Sequence, residues 1–319
     1  MATYPFNLLR PEQPEPLADK SVLRERPFTK QDRSFTADAS RFEPSDQMAT
    51  AINTAIAVGE PLLMTGEPGT GKTQAAYYVA WKLGLLPPLH FQVKSDTTAQ
   101  DLLYNFDTVR YFHDANLPQQ GNGAGAPLNK SDYVEPRELW TAFTSGSEQD
   151  EPRVLLIDEI DKAPRDFPND LLHELDQMEF TVRETGNVIK APRALAPIVF
   201  ITSNSERRLP EAFLRRCVYH HIRFDDDLAE KVVFKRRDEY ANLSDEFLKM
   251  ALERFLTLRE KAFRKSPTSA ELLVWLRVLS LATGTYPEQL KHDLSQLPYL
   301  DVLIKDRQDL EELGADQIR

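Results

Sequence analysis

Short apolar runs alternate with segments of helical spacing through the first two thirds of the chain. Uninterrupted apolar runs of three to six residues are typical of strands that are buried on both faces of a sheet. Such runs predict strands at 62–64, 154–157 and 198–204. Strands are also predicted at 89–93, which is rich in β-prone residues, and at 218–224. The first predicted helix covers 46–58, with Ser45 as its N-cap and Gly59 at its end. This alternation predicts an α/β fold, in which a parallel sheet is flanked by helices.

From residue 225 onward the pattern changes to helical spacing alone. The helices predicted there are 228–240, 244–263, 269–282 and a final piece over 300–313.

Two features interrupt the alternation of strands and helices before residue 225: the aromatic, alternating segment 104–112 predicts a small hairpin inserted into a helix, and 180–190 predicts a second hairpin. We therefore divide the chain into three parts: a Pro-rich N-terminal arm (1–41), an α/β domain (42–225) and a helical domain with a C-terminal tail (226–319).

Residues 66–73 fit the pattern G-x-x-x-x-G-K-[ST], between a predicted strand and a helix that begins near residue 74. Glycines let the backbone bring its N–H groups close to a polyphosphate, and the positive end of the following helix faces the same point. Lys72 can reach the β- and γ-phosphates, and the Thr73 hydroxyl can coordinate Mg²⁺. The sequence therefore predicts that a nucleoside triphosphate binds at Gly66, Glu67, Pro68, Gly69, Thr70, Gly71, Lys72, Thr73 and Gln74, with its Mg²⁺ at Thr73.

Polar side chains follow two of the predicted strands. Asp158 and Glu159 come directly after 154–157, and Asn204 ends 198–204. Open α/β sheets bind their ligands at the carboxyl ends of strands. Asp158 is thus placed to hold Mg²⁺, and Glu159 to orient or deprotonate an attacking water, while Asn204 is placed to hydrogen-bond that water. Such residues also serve as plain helix caps or strand ends, but the phosphate loop favours the catalytic interpretation.

Two arginines, Arg215 and Arg216, end a short predicted helix over 209–216. Paired arginines on a helix commonly face solvent. The alternative is a guanidinium that reaches the γ-phosphate held by a neighbouring subunit.

The composition limits the classes of function. The chain has 319 residues with 39 basic and 50 acidic side chains, a net charge of −11, which argues against broad nonspecific binding of nucleic acid. Its single cysteine, Cys217, cannot form an internal disulfide or a cysteine-based metal cluster. The N-terminus has no signal-peptide pattern, and no apolar run is long enough to span a bilayer. We expect a cytoplasmic protein without a membrane span.

Taken in chain order, these motifs resemble those of AAA+ ATPases. Residues 66–73 resemble Walker A and 154–159 resemble Walker B, Asn204 resembles sensor 1, and 209–216 resembles the arginine-finger helix. The resemblance covers roughly 42–310, and it implies a P-loop NTPase sheet with a C-terminal helical lid. Within the family, the segments 102–112 and 180–190 resemble the helix-2 insertion and the pre-sensor-1 hairpin of the MoxR branch.

The resemblance implies an ATP-hydrolysing homo-oligomeric ring, expected to be a hexamer, that remodels a protein client. Relatives of the MoxR branch often act beside partners with von Willebrand factor A domains. It also implies that Arg216, more than Arg215, is the arginine finger. Residues 265–273 resemble the start of the lid helix that carries the sensor 2 arginine, yet the first arginine there is Arg277. Two alternatives stay open: a DNA-dependent loader or translocase, and an ATP-dependent scaffold of low turnover.

Overall fold

A five-stranded parallel sheet lies at the centre of the first part of the chain, and its strands lie side by side in the order Leu89–Gln92, Val154–Asp158, Ile198–Ser203, Leu62–Gly66 and Val218–Ile222. The computed structural model describes residues 24, 39–116, 128–146, 150–204, 207–261, 263–282 and 286–314. The strands, numbered along the chain, are β1 (Leu62–Gly66), β2 (Leu89–Gln92), β3 (Tyr104–Phe106), β4 (Val134–Pro136), β5 (Val154–Asp158), β6 (Glu179–Thr181), β7 (Val188–Lys190), β8 (Ile198–Ser203) and β9 (Val218–Ile222).

The helices of the described residues surround this sheet or follow it along the chain. They are α1 (Asp46–Val58), α2 (Lys72–Lys82), α3 (Ala99–Leu103), α4 (Thr108–Asn116), α5 (Glu138–Thr144), α6 (Phe167–Asp170), α7 (Leu172–Gln177), α8 (Glu211–Leu214), α9 (Asp226–Phe234), α10 (Asp245–Arg259), α11 (Ser269–Leu281), α12 (Tyr286–Leu290), α13 (Leu300–Leu303) and α14 (Arg307–Glu312). None of the described helices is both long and apolar enough to cross a membrane. Most of the predicted N-terminal arm (1–41) lies outside the described residues.

The register of the sheet brings the ends of four strands to one edge. In the pairing of β1 with β8, Thr65 lies opposite Ser203, and in the pairing of β2 with β5, Gln92 lies opposite Asp158. Every residue of β1 and β5 is buried, as uninterrupted apolar runs predict for central parallel strands. The predicted fold class, a parallel sheet flanked by helices, is confirmed.

The segment predicted as a small hairpin, 104–112, folds differently. Strand β3 pairs antiparallel with β4, which lies far ahead in the sequence, and Thr108–Asn116 is a helix. The Asp107 carboxylate accepts a hydrogen bond from the backbone N–H of Arg110 at 2.9 Å, which starts the helix. The prediction of a local hairpin was therefore wrong, because the alternating aromatic segment forms a strand only over Tyr104–Phe106 and then continues as a helix.

The second predicted hairpin, 180–190, is present as the antiparallel pair β6–β7. Its Phe180 ring stacks on Tyr104 of β3 with 6.3 Å between ring centroids, and Trp140 packs edge-on against both rings. The backbone N–H of Arg183 also donates to the Tyr104 hydroxyl at 3.1 Å. The strand pairs β3–β4 and β6–β7 therefore meet in one aromatic cluster.

Contacts between residues divide the chain into two units. The core unit consists of Pro44–Glu67 and Gly71–Arg223, and the helical unit consists of Pro68–Thr70 with the described residues before Pro44 and after Arg223.

The described part of the helical unit contains helices and turns but no strand. The predicted helix 228–240 ends at Phe234, and 300–313 is split into α13 and α14 because the Asp306 carboxylate caps a new start by accepting from Gln308 N. Arg277, the first arginine of α11, pairs with the carboxylate of Glu239 within this unit. Ser269, at the start of the same helix, donates a hydrogen bond to the Gly69 carbonyl oxygen.

Candidate nucleotide-binding and hydrolysis site

Lys72 is the buried cation of the phosphate loop. Its ammonium donates to the carbonyl oxygens of Gly66 and Glu67, at 2.8 Å each, and the residue is only 6% exposed. Burial lowers the pKa of Lys72, against the opposing effect of nearby carboxylates, of which Asp158 has the largest. A cation held at the start of a helix, beside a backbone that turns at Gly71 (φ 94°), suits a polyphosphate.

Asp158 lies at the end of β5, and three side chains hold its carboxylate. The Thr73 hydroxyl lies 3.1 and 3.3 Å from its two oxygens, and the Thr202 hydroxyl donates to Oδ1 at 2.5 Å. His90 Nε2 lies 3.2 Å from Oδ2. Burial raises the pKa of Asp158, but the hydrogen bonds from His90, Thr202 and Thr73 outweigh burial and hold the pKa below its usual value. The carboxylate is therefore an anion at neutral pH.

The donor set at this point fits Mg²⁺. A hydroxyl and a carboxylate are hard oxygen donors, and they touch one another across the ends of α2 and β5. Mg²⁺ typically keeps several waters and takes few protein ligands beside the phosphates of a nucleotide. Thr73 would coordinate the ion directly, and Asp158 would hold it through water.

Glu159 follows Asp158 in a backbone conformation that is rare for residues with a side chain. Its φ is 61° and its ψ 49°, in the left-handed region, and its N–H donates to the Thr202 hydroxyl at 2.8 Å. Three N–H donors reach its carboxylate: Gln92 Nε2 and Lys162 Nζ at 2.6 Å each, and Asn204 Nδ2 at 3.0 Å. Rare backbone conformations of this kind cluster at functional sites.

Asn204 is fixed from both sides. Its side chain donates to Glu159, and its backbone N–H donates to the buried carboxylate of Asp161 at 3.2 Å. The structure thus brings together four of the predicted residues, namely Thr73, Asp158, Glu159 and Asn204, at one edge of the sheet.

Sequence reasoning missed four residues of this site: His90, Gln92, Lys162 and Thr202. His90 and Gln92 carry a signal that was available, because residues two apart in a strand point to the same face. Both are polar, and both belong to the strand next to β5. Thr202 resembled any residue of a buried strand.

The two arginines predicted to act at this site, Arg215 and Arg216, have other partners in this chain. Arg216 pairs with Asp176 at 2.6 Å and donates to the Ala212 carbonyl oxygen, and Arg215 pairs with Glu211 of its own helix. Among the described residues, no hydrogen bond or ion pair joins either arginine to the carboxylates that follow β5. Their predicted role stays a prediction.

Comparisons with known proteins show what this part of the chain is similar to. Residues 61–217 match the family described as AAA domain (dynein-related subfamily). No curated protein is detectably similar to the chain in sequence. Similar solved structures include a candidate ATPase from Cytophaga hutchinsonii ATCC 33406, 14% identical over 88% of this chain and 92% of that one, with a TM-score of 0.41.

Two further solved structures have TM-scores of 0.40. They are the S. cerevisiae Hsp104–ADP complex, 18% identical over 70% of this chain and 43% of that one, and NtrX from Brucella abortus in complex with ATP, 13% identical over 93% of this chain and 64% of that one. The family match covers the strands from β1 to β8 and the phosphate loop, and it ends just before β9. Residues 61–217 of this chain are therefore similar to an AAA domain.

Proposed function

We propose that this chain is a cytoplasmic, MoxR-like AAA+ ATPase that hydrolyses ATP to ADP and phosphate in a homo-oligomeric, hexameric ring. In this proposal residues 42–225 bind the nucleotide, 226–319 form a helical lid, and the ring remodels or assembles a protein partner. The observation that carries the proposal is the contact between Glu159 and Asn204 beside the pair of Thr73 and Asp158. A base, a water-orienting amide and two oxygen donors for Mg²⁺ are thus adjacent.

The residues divide the chemistry among them. Lys72 neutralises charge on the β- and γ-phosphates, and the backbone N–H groups that the loop carries at its residues other than Pro68 hold the phosphate chain. When bound, Mg²⁺ supplies further neutralisation of the phosphate oxygens. A carboxylate can accept about four hydrogen bonds. Glu159 already accepts three, from Gln92, Lys162 and Asn204, so one position remains for the attacking water. Asn204 keeps this carboxylate in place.

The proposed client is a protein, with a von Willebrand factor A domain as one form of partner. The resemblance of 102–112 and 180–190 to insertions of the MoxR branch supports this choice, and the net charge of −11 weighs against nucleic acid. The partner remains a proposal drawn from that resemblance.

The proposed shared site can be tested by mixing two inactive variants. Glu159→Gln should bind ATP and hydrolyse it slowly, because an amide does not accept the water's proton. Arg216→Ala should also bind and stall, because its neighbour's site lacks a cation for the transition state. In mixed rings, an Arg216→Ala subunit supplies Glu159 to some sites and a Glu159→Gln neighbour supplies the arginine. Hydrolysis should therefore partly return.

Arg215→Ala is the matched control, because Arg215 is the preceding residue on the same helix and forms its own ion pair with Glu211. It should retain most of the activity. Subunit exchange is verified with labelled subunits. If exchange occurs and the mixture stays inactive, the shared-site mechanism is wrong for this protein.

A further inference from the structure

His90 connects α2, the helix that follows the phosphate loop, with the carboxylate of Asp158, the last residue of β5. Its ring Nε2 lies 3.2 Å from Asp158 Oδ2, and its Nδ1 lies 3.0 Å from the Tyr77 hydroxyl on α2. The Tyr77 and His90 rings meet edge to face, with 6.1 Å between centroids. A strand residue and a helix residue thus form a polar chain that ends on Asp158.

The hydrogens of this chain follow from what each group can do. A carboxylate only accepts hydrogen bonds, so Nε2 of His90 carries the hydrogen that points to Asp158. In the neutral ring Nδ1 is then an acceptor, and the Tyr77 hydroxyl donates to it. Burial and the charge of Asp158 raise the pKa of Tyr77, so its O–H stays a donor. Tyr77 fixes the orientation of the ring, and the ring fixes Oδ2.

Each oxygen of Asp158 has its own fixed donor in this arrangement. Thr202 holds Oδ1 and His90 holds Oδ2, on opposite sides of the carboxylate. The third partner, Thr73, is the hydroxyl that would coordinate Mg²⁺. When Thr73 turns to the ion, Thr202 and His90 still fix the plane of the carboxylate.

The packing of His90 indicates that it positions Asp158 and does not serve mainly as a residue of the apolar core. Its side chain is 31% exposed, whereas that of Asp158 is 9% exposed. A half-buried ring in a strand beside β5 adds little to the apolar core, but it shields and orients the carboxylate next to it. Donors of this kind around metal ligands raise metal affinity by about 10- to 100-fold.

We propose that His90, held by Tyr77, is a positioning residue that sets the affinity of the Asp158–Thr73 site for Mg²⁺ and through it the Mg²⁺ dependence of ATP binding. The inference rests on the proposed function, because it assumes that this site takes Mg²⁺ with ATP. His90 acts through Asp158 and has no contact with the nucleotide in this scheme.

The test measures equilibrium binding of a fluorescent, non-hydrolysable ATP analogue as Mg²⁺ is titrated, starting in excess EDTA. His90→Phe keeps a ring and loses the donor, so the Mg²⁺ concentration at the midpoint should rise about 10-fold, with affinity in EDTA unchanged. His90→Gln restores an N–H near the position of Nε2 and should bring the midpoint most of the way back. Tyr77→Phe should shift it in the same direction by a smaller factor. His173→Phe, an exposed histidine on α7, is the matched control.

The outcomes separate the inference from the proposed function. Absence of nucleotide binding by the wild-type protein would sink the proposed function itself. If the wild-type protein binds with a clear Mg²⁺ dependence and His90→Phe leaves the midpoint in place, only the role of His90 is wrong. An equal shift in His90→Gln would also overturn it, since the donor would then not matter. If His90→Phe does not fold, as shown by the loss of cooperative thermal unfolding, the Tyr77→Phe variant is used instead. An unchanged Mg²⁺ midpoint in Tyr77→Phe then overturns the inference.

Discussion

Thr202→Val should destabilise the core unit far more than Thr202→Ser, because the Thr202 hydroxyl serves two buried polar groups at once. The residue is fully buried, its hydroxyl donates to Asp158 Oδ1 at 2.5 Å, and it accepts from the N–H of Glu159 at 2.8 Å. Valine has nearly the same shape, so the substitution removes these two hydrogen bonds and leaves almost no cavity. Neither partner has water at hand to replace the hydroxyl completely.

The magnitude follows from the two groups left behind. A lost hydrogen bond to a charged group costs about 1.5–3 kcal/mol, and an unpaired buried N–H costs about 1–3 kcal/mol. Partial access of water to Asp158 reduces the first figure, so we expect a total of about 3 kcal/mol. The left-handed conformation of Glu159 adds to the effect, because such a conformation costs about 1–2 kcal/mol and its N–H bond helps to hold it.

Equilibrium urea unfolding, followed by circular dichroism, measures this difference. With a slope of about 3 kcal/mol per molar urea, the midpoint should fall by roughly 1 M in Thr202→Val. Thr202→Ser keeps the hydroxyl and loses one methyl group, so its midpoint should fall by about a third as much. Equal shifts in the two variants would refute the reasoning, since the methyl and not the hydroxyl would then decide stability.

The same argument predicts how the stability of the folded state changes with pH. The pKa of Asp158 is held below its usual value, so its hydrogen bonds stabilise the folded state above the pKa of the unfolded chain. That contribution is lost as pH falls through the folded pKa. The stability gap between wild type and Thr202→Val should therefore narrow on acidification, and a gap that widens would contradict the assignment.

Three further predictions concern binding, stability and the client. Lys72→Ala should weaken binding of an ATP analogue about 10- to 100-fold, whereas Lys82→Ala, an exposed lysine at the other end of α2, should not; equal affinities for the two variants would refute the phosphate-loop assignment. Glu239→Gln removes the carboxylate that faces Arg236 and Arg277 and should lower the unfolding free energy by about 2 kcal/mol. Because its pKa is held below the usual value, this loss should be largest above that value and fade in acid, which urea unfolding at two pH values checks. ATPase turnover should be indifferent to added DNA or RNA at physiological salt, and a salt-sensitive, several-fold stimulation would favour the loader alternative.

The strand ends of the sheet could be predicted because two local signals coincide there. An uninterrupted apolar run marks a strand buried on both faces, and the first polar residue after it marks the edge where ligands bind. Asp158, Glu159 and Asn204 follow from this rule alone, and the structure brings them to one edge. The phosphate loop is equally local, since all its residues are consecutive.

What could not be predicted depends on which strands are neighbours. β2 lies beside β5 although about 60 residues separate them, and only this pairing puts His90 and Gln92 next to the acidic residues. The pairing of β3 with β4 is likewise long-range, so the sequence near residue 106 offered no partner strand and a local hairpin was wrongly inferred. Period-two polar residues at a strand end are thus a usable signal, provided that the neighbouring strand is known.

Arg216 is exposed enough to serve the proposed shared site, whereas Arg277 is not. Its side chain is 44% exposed and that of its partner Asp176 is 32% exposed, and ion pairs at such surfaces contribute about 0–1 kcal/mol. A triphosphate on a neighbouring subunit could therefore recruit the guanidinium at little cost, because a bidentate contact with phosphate is stronger. Arg277 is only 15% exposed and is held by Glu239, which is 12% exposed, so separating this largely buried pair costs more than separating Arg216 from Asp176. The same energetic reasoning that makes Arg216 available therefore keeps Arg277 as a structural residue of the helical unit.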